Sequence, residues 1–288
     1  MSTIKRLSPS QFPSLLREIN DPPKELYLEG KLPDASFIYL TIVGSRKYSS
    51  YGREACEKVI AELAGYPVAI ISGLAVGIDT IAHQAALQAG LPTVAIPGSG
   101  LGRNVLHPSS NKKLADEIIE AGGALLSEFP PDYPAGLHTF PRRNRIMAGL
   151  AKAVLIVEAG DKSGTLITAK LATDYNRDVL AIPGSIFSAG SLGTNNLIKL
   201  GATPVCSGRD LLIGLGFDLP DEYGQQKLNL ESLTKSEQKV YEILKIEPLP
   251  RDELIRNLNL PISEANVLLA MMEIKGIIKE MMGELRVG

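Results

Sequence analysis

Apolar positions along this 288-residue chain follow two periods. Between residues 37 and 216, short runs rich in β-branched residues alternate with longer stretches of helical period, and Gly or Pro marks nearly every junction. The runs at 37–43, 68–72, 93–97, 124–128, 153–158, 178–182 and 203–206 read as strands. They are apolar throughout instead of alternating, as strands covered by helices on both faces must be. The stretches at 51–64, 79–88, 111–121, 142–150, 165–175, 195–200 and 210–215 read as helices. Strand–helix alternation of this kind predicts an α/β fold with a doubly wound, mostly parallel sheet. Ligands of such sheets bind beyond the carboxyl ends of the strands, where the loops leading into the helices gather.

The flanks read differently. Residues 1–36 hold one short amphipathic pattern at 12–19 and then Asp21-Pro22-Pro23, which predicts an extended strap into the first strand, too short to fold alone. Residues 217–227 are polar and broken by Gly and Pro, as in a linker. From 228 to 288 the sequence predicts a second domain. Thr234 or Ser236 caps a first helix that includes 240–244, helices follow at 251–258 and 263–275, and a hairpin closes at 277–281 and 285–287. Three helices and a hairpin in this order form a winged-helix pattern.

Composition narrows the function classes. Hydrophobic residues make up 44% and charged residues 22%, enough apolar mass for a globular core. Net charge is −2, so no global positive field attracts nucleic acid or anionic lipid, and any polyanion site must be local. Cys56 and Cys206 lie too far apart in sequence to suggest a disulfide framework or a metal knuckle and read as small buried residues of a reducing compartment. With no signal-peptide pattern and no apolar run of membrane-spanning length, a cytoplasmic protein without a membrane partner is expected.

Four loops at predicted strand ends carry candidate chemistry. Gly44-Ser45-Arg46 follows the first strand, combining close backbone approach, a hydroxyl and a planar guanidinium fork. In the second, running from Ser72 to Asp79, the glycines lack dinucleotide-binding spacing; Asp79 reads as a helix cap and His83 as a packed helical histidine. The third, Phe140-Pro-Arg142-Arg143-Asn144-Arg145, crowds three guanidiniums onto the start of a helix, a cost accepted most readily where an anion sits. The fourth, Ser163-Gly164-Thr165, offers hydroxyls and N–H groups at a helix N-terminus without the spacing of a P-loop. An extended or repeated phosphate is the ligand these loops imply together, with Phe140, Phe129, Tyr133 and Tyr48 as candidate base-stacking rings, although ordinary packing is the plainer role for Tyr133.

Signals for catalysis are weak. His83, His107 and His138 have no metal spacing and no evident nucleophile beside them. Glu128 and Glu158 end strands at the ligand edge, where acids more often hold loop N–H groups than act on a glycosidic bond.

These motifs resemble the DprA/Smf family of bacterial DNA-processing proteins of natural transformation. The likeness runs through Ile42-Val-Gly-Ser-Arg46, Ser72-Gly-Leu-Ala-x-Gly-Ile-Asp79-x-x-Ala-His83, Pro108-x-x-Asn111 and Leu126-Ser-Glu128. It continues in Phe140-Pro-x-Arg-Asn-Arg145, Val157-Glu-Ala159, Ser163-Gly-x-Leu-Ile-Thr-Ala169, Ile182-Pro-Gly184 and Ser191-x-Gly-x-Asn195. The resemblance implies an extended Rossmann-like domain that binds single-stranded DNA without sequence preference, forms a homodimer and helps load RecA, with no cofactor, metal or catalytic residue. It maps phosphate or DNA contacts onto Arg46, Phe140, Arg143 and Arg145, with Arg142 as an addition, and onto Ser163, Gly164 and Thr165; the loop reading adds Gly44, Ser45 and Asn144 as candidate phosphate or DNA contacts. Two places depart from the family pattern: residues 1–36 hold only a strap where many relatives carry a helical module, and His107 stands where the family has tyrosine.

The competing readings are a phosphoribohydrolase of the LOG type and a small-nucleotide sensor. The former enzymes place a glutamate three residues after the threonine of their glycine-rich loop, and here that position is Thr168. The winged-helix segment carries nine Lys/Arg and ten Asp/Glu from Lys227 onward, and its third helix has no basic residue before Lys275. Groove insertion needs phosphate-neutralising side chains, so a protein-interaction or self-association module is expected there, with Met271 and Met272 shared between core and interface.

Overall fold

In the computed structural model the described residues are 3–219, 233–258, 260–275, 277–281 and 283–287. They belong to two units, Met1–Leu219 and Pro220–Gly288. The first is built on β1 (Lys5–Leu7), β2 (Leu26–Gly30), β3 (Ile38–Val43), β4 (Val68–Ser72), β5 (Thr93–Ala95), β6 (Ala124–Ser127), β7 (Ala153–Ile156), β8 (Asp178–Ala181) and β9 (Thr203–Pro204). They form one sheet in the order β1-β2-β6-β5-β4-β3-β7-β8-β9. From β3 onward every pairing is parallel.

Helices cover both faces. On one, α1 (Ser14–Arg17), α5 (Thr139–Leu150) and α6 (Thr165–Asp174) bury Leu16, Ile146, Met147, Ala169 and Ala172 in one core. On the other, α2 (Ser50–Ala61), α3 (Ile78–Gln88) and α8 (Gly208–Gly214) bury Cys56, Ile60, Ile81 and Leu211. Two further helices, α4 (Lys112–Glu120) and α7 (Leu192–Lys199), complete the unit. Successive strand residues feed opposite cores: Ile42, Ile70 and Leu155 one, Val43, Ile71 and Ile156 the other. Pleat alternation between two apolar layers is why these strands read as unbroken apolar runs.

Residues 1–36 are more than a strap. β1 and β2 extend the sheet with antiparallel pairing, Tyr27 opposite Ser127, and Phe12, Leu16 and Ile19 are buried in the core. The parallel block would otherwise end at β6 with unpaired N–H and C=O groups, which an extended segment satisfies. At the other end, Phe217 and Leu219 pack against the α2/α3/α8 core, and Phe217 meets the Tyr66 ring edge-on at 5.5 Å. The expected linker therefore begins inside the packed unit; its remainder, 220–227, and residues 228–232 lie outside the described residues.

The second unit contains α9 (Lys235–Ile246), β10 (Leu249–Pro250), α10 (Arg251–Leu258), α11 (Ile262–Ile274), β11 (Ile278–Met281) and β12 (Glu284–Val287), with sheet order β10-β12-β11. This is a winged helix around Val240, Leu244, Leu254, Leu269, Met272 and Leu285. Thr234 caps α9: its hydroxyl accepts from the Glu237 N–H at 3.3 Å, and the Glu237 carboxylate accepts from the Thr234 N–H at 2.8 Å. Met272 is buried and Met271 half-exposed. Among the described residues no helix is long and apolar enough to cross a membrane.

Candidate nucleic-acid interface

The carboxyl ends of β3 and β7 open into a cleft of about 580 Å3. One wall is a stripe of α5: Phe140, Arg143, Asn144 and Met147, spaced i, i+3, i+4, i+7 and so on one helical face. Opposite stand Gly44–Lys47 after β3 and Ser163–Thr165 at the start of α6. The Arg46 guanidinium lies 5.3 Å from the centroid of the Phe140 ring, a cation–π contact, and Arg46 is exposed.

The three guanidiniums that the sequence crowds at one helix start do not share one face of α5. The helix begins at Thr139, three residues before the predicted start, so the arginines sit inside it. Successive helical residues turn by about 100°, which sends them to different neighbours. Arg142 and Arg145, three apart, both reach Glu128: Arg142 Nε lies 3.0 Å from its Oε1, and Arg145 pairs with its Oε2. Arg145 also donates to the Asp21 carbonyl and does not line the cleft; its side chain is 12% exposed. Arg142, 57% exposed, lies over the Phe129 ring. Phe129 itself is buried and stacked on Tyr133 at 5.1 Å, so packing explains both rings.

Arg143 forms the floor of the cleft. It is 5% exposed, and its Nη1 donates to the carbonyls of Gly73 and Ile96 while Nε donates to Asn144 Oδ1 at 3.2 Å. Burial pushes its pKa down to about 10, partly offset by the neighbouring Asp79 carboxylate, so it stays charged at neutral pH. Asp79 is not the cap of α3, a position held by Gly77. Its Oδ2 instead accepts from the N–H groups of Gly73 at 3.1 Å and Ala75 at 3.4 Å. Burial raises the Asp79 pKa, against the pull of Arg143. Gly77 adopts φ +93°, and a Cβ there would strike the backbone of Ser45 and Arg46, so the loop after β4 packs directly beneath Arg46.

His83 is the packed histidine the sequence predicts. Thr93 Oγ1 donates to the Ile70 carbonyl at 3.0 Å, so it accepts from His83 Nδ1 at 2.7 Å. Burial pushes this imidazole down to about 3.

The hydroxyls of the two remaining loops are committed locally. Ser45 Oγ donates to the Lys47 carbonyl at 2.7 Å and accepts from the Lys47 N–H at 3.0 Å, which fixes the turn that presents Arg46. Ser163 Oγ donates to Thr165 Oγ1 at 3.0 Å, and Thr165 Oγ1 donates to the Gly44 carbonyl at 3.1 Å. The nest is thus stitched to the G-S-R loop, and Gly164 faces open space between them. Lys47, Leu137 and Ile167 also line the cleft, none of them singled out by motif. Lys47 had a signal in its place beside Arg46; Leu137 and Ile167 had none. Glu158 holds loop backbone, accepting from the Ser49 N–H at 2.9 Å. Thr168, at the position of the hydrolase acid, is buried in the cleft wall.

The sequence model of DNA recombination-mediator protein A matches residues 4–216. The chain belongs to this family. The DprA winged helix domain model matches residues 225–284 as well. Among DprA/Smf relatives, protein Smf of Escherichia coli is 45% identical over 208 residues, covering 72% of this chain and 55% of that protein. DNA processing protein DprA of Streptococcus pneumoniae is 46% identical over 207 residues, 72% of each chain. The match thus spans little more than half of the first relative and about three-quarters of the second. The solved Streptococcus pneumoniae DprA structure superposes with a TM-score of 0.69 at 42% identity over 75% of each chain. DNA processing protein A of Helicobacter pylori, solved for its single-stranded DNA binding mode, superposes with a TM-score of 0.64 at 28% identity, over 75% of this chain and 98% of that one.

Proposed function

We propose that this chain binds single-stranded DNA without sequence preference in the α5–β3–β7 cleft, and that it acts in the cytoplasm as a homodimer that loads a RecA-type recombinase on incoming strands during natural transformation. The observation that carries the binding half is Arg46: an exposed guanidinium stacked on Phe140, with Lys47 beside it, facing Asn144 and the Ser163–Thr165 turn. A backbone phosphate is attracted by Arg46 and Lys47, and a base can stack where Phe140 is open. Arg143 acts from below as a buried positive charge that holds the loops after β4 and β5.

The reading is of binding, not of catalysis. Asp79, the acid that lines the cleft, has its carboxylate committed to two loop N–H groups beside Arg143. Fluorescence anisotropy of labelled single strand and duplex, at several salt concentrations, tests it. Single strand should bind more tightly, and Arg46→Ala should lower the salt slope by roughly 0.7. Equal affinity for duplex, an Arg46→Ala slope matching the wild type, or tighter binding of a mononucleotide would overturn it.

A further inference from the structure

The rim continues past the cleft. β8 lies beside β7, which lies beside β3, so its carboxyl end is two strand spacings, about 10 Å, from that of β3. The loop that follows β8 is sewn to the loops on either side. Tyr51 Oη donates to the Pro183 carbonyl at 2.6 Å, the Ala159 N–H donates to the Gly190 carbonyl at 2.9 Å, and Glu158 packs against Gly190 while it holds Ser49. A second cleft of about 580 Å3 results, lined by Ser49, Tyr51, Pro183, Ser185, Ser188 and Ser191. The connection from β3 to α2 lines both clefts, through Gly44–Lys47 in the first and Ser49 in the second.

At its edge a turn closes with the Ser188 N–H donating to the Ser185 carbonyl at 3.0 Å. This turn lifts Ile186 and Phe187 into solvent. Phe187 is 93% exposed, and Tyr51, in the cleft lining, is 50% exposed. Two adjacent apolar side chains, Ile186 and Phe187, thus stand in water at the edge of this cleft.

We propose that this second cleft is a base-stacking subsite for the same single strand, in which Phe187 and Tyr51 receive the nucleobases that leave the Arg46 cleft. This rests on the single-strand reading above. The lining favours nucleobases as the occupant: it carries no charged side chain, it has serine hydroxyls for base edges and one aromatic face, Tyr51, with Phe187 on the turn at its edge, and it continues the rim that carries Arg46 and Lys47. A strand crossing from Arg46 and Lys47 toward β8 therefore exchanges phosphate contacts for stacking contacts.

The chain contains no tryptophan, so Phe187→Trp installs a single reporter. Its emission should be quenched on titration with a dT oligonucleotide of about 16 nucleotides and not with one of about 4 that fills the first cleft alone. Phe187→Ala should weaken the longer strand by at least about fivefold, the lower end of base–aromatic stacking, and leave the shorter unchanged. Anisotropy on the wild type and on Arg46→Ala runs alongside. If the wild type binds and Arg46→Ala weakens it, yet neither Phe187 variant responds, this inference alone falls. If the wild type binds no single strand, both fall. If the Phe187→Trp emission shifts with protein concentration in the absence of DNA, and sedimentation shows Phe187→Ala to be smaller, a second copy of the chain covers the ring and the inference is overturned.

Discussion

Arg143 and Asp79 meet at Gly73: the guanidinium donates to the Gly73 carbonyl while the carboxylate accepts the Gly73 N–H at 3.1 Å. One residue's backbone is thus held between two buried opposite charges, and a Cβ at Gly73 would overlap both side chains. The pair ties the loop after β4 to α5 beneath the cleft. Removing one partner strands the other charge out of water, which costs more than the pair itself contributes.

Arg143→Met should therefore lower unfolding free energy by about 3–5 kcal/mol in urea denaturation. Asp79→Asn should also destabilise, and the double variant should lose less than the sum of the singles. Strict additivity would show that the two side chains do not act together. Gly73→Ala should be destabilising for the same reason.

Arg46 and Arg145 should separate cleanly. Arg46→Ala leaves unfolding free energy within about 0.5 kcal/mol, as exposed substitutions do, but weakens single-strand binding and its salt dependence. Arg145→Met should do the reverse, because its guanidinium serves Glu128 and Asp21. Salt-series anisotropy and urea curves on both variants distinguish them.

His83 should leave a mark on stability against pH. Its folded pKa of about 3 lies below the ordinary 6.5, so between these values the unfolded chain takes up a proton that the folded chain refuses. Stability should be highest above about pH 6.5 and fall with acidification toward pH 3. The slope from a single site is at most about 1.4 kcal/mol per pH unit. His83→Gln should flatten that segment of the urea-stability profile relative to the wild type.

The winged helix offers a separate test. Lys275 bonds Glu237 at 2.6 Å, and with the Thr234 N–H and hydroxyl it holds the carboxyl at about 2, below its ordinary 4.5. This contribution is present above about pH 4.5 and is lost as pH falls toward 2. Thr234→Ala removes the hydroxyl half of the capping box and should cost about 1 kcal/mol, read as lower amide-exchange protection across α9.

Much of this molecule was legible without coordinates. The run at 68–72 is β4 and that at 251–258 is α10, because strand pleat and helix turn impose periods that burial makes visible in residue type. Less was legible where a segment's partner is remote. β1 and β2 look like an extended strap until the open edge of β6 is there to receive them. Phe187 carried no motif at all; it stands out only because the loops around it are stitched to Tyr51 and Ala159.

The sequence by itself determined the alternation of elements, the winged helix and the positions of the strand-end loops, since these follow from local period and turn chemistry. Only the tertiary structure decided which cations face outward. Residues 142, 143 and 145 look equivalent in a row of letters, but the helix turns each by about 100° from the last. Arg145 is thereby spent on Glu128 and Arg143 on Gly73 and Ile96, Arg142 stays outward over Phe129 and away from the cleft, and Arg46, from a separate loop, is left exposed over Phe140.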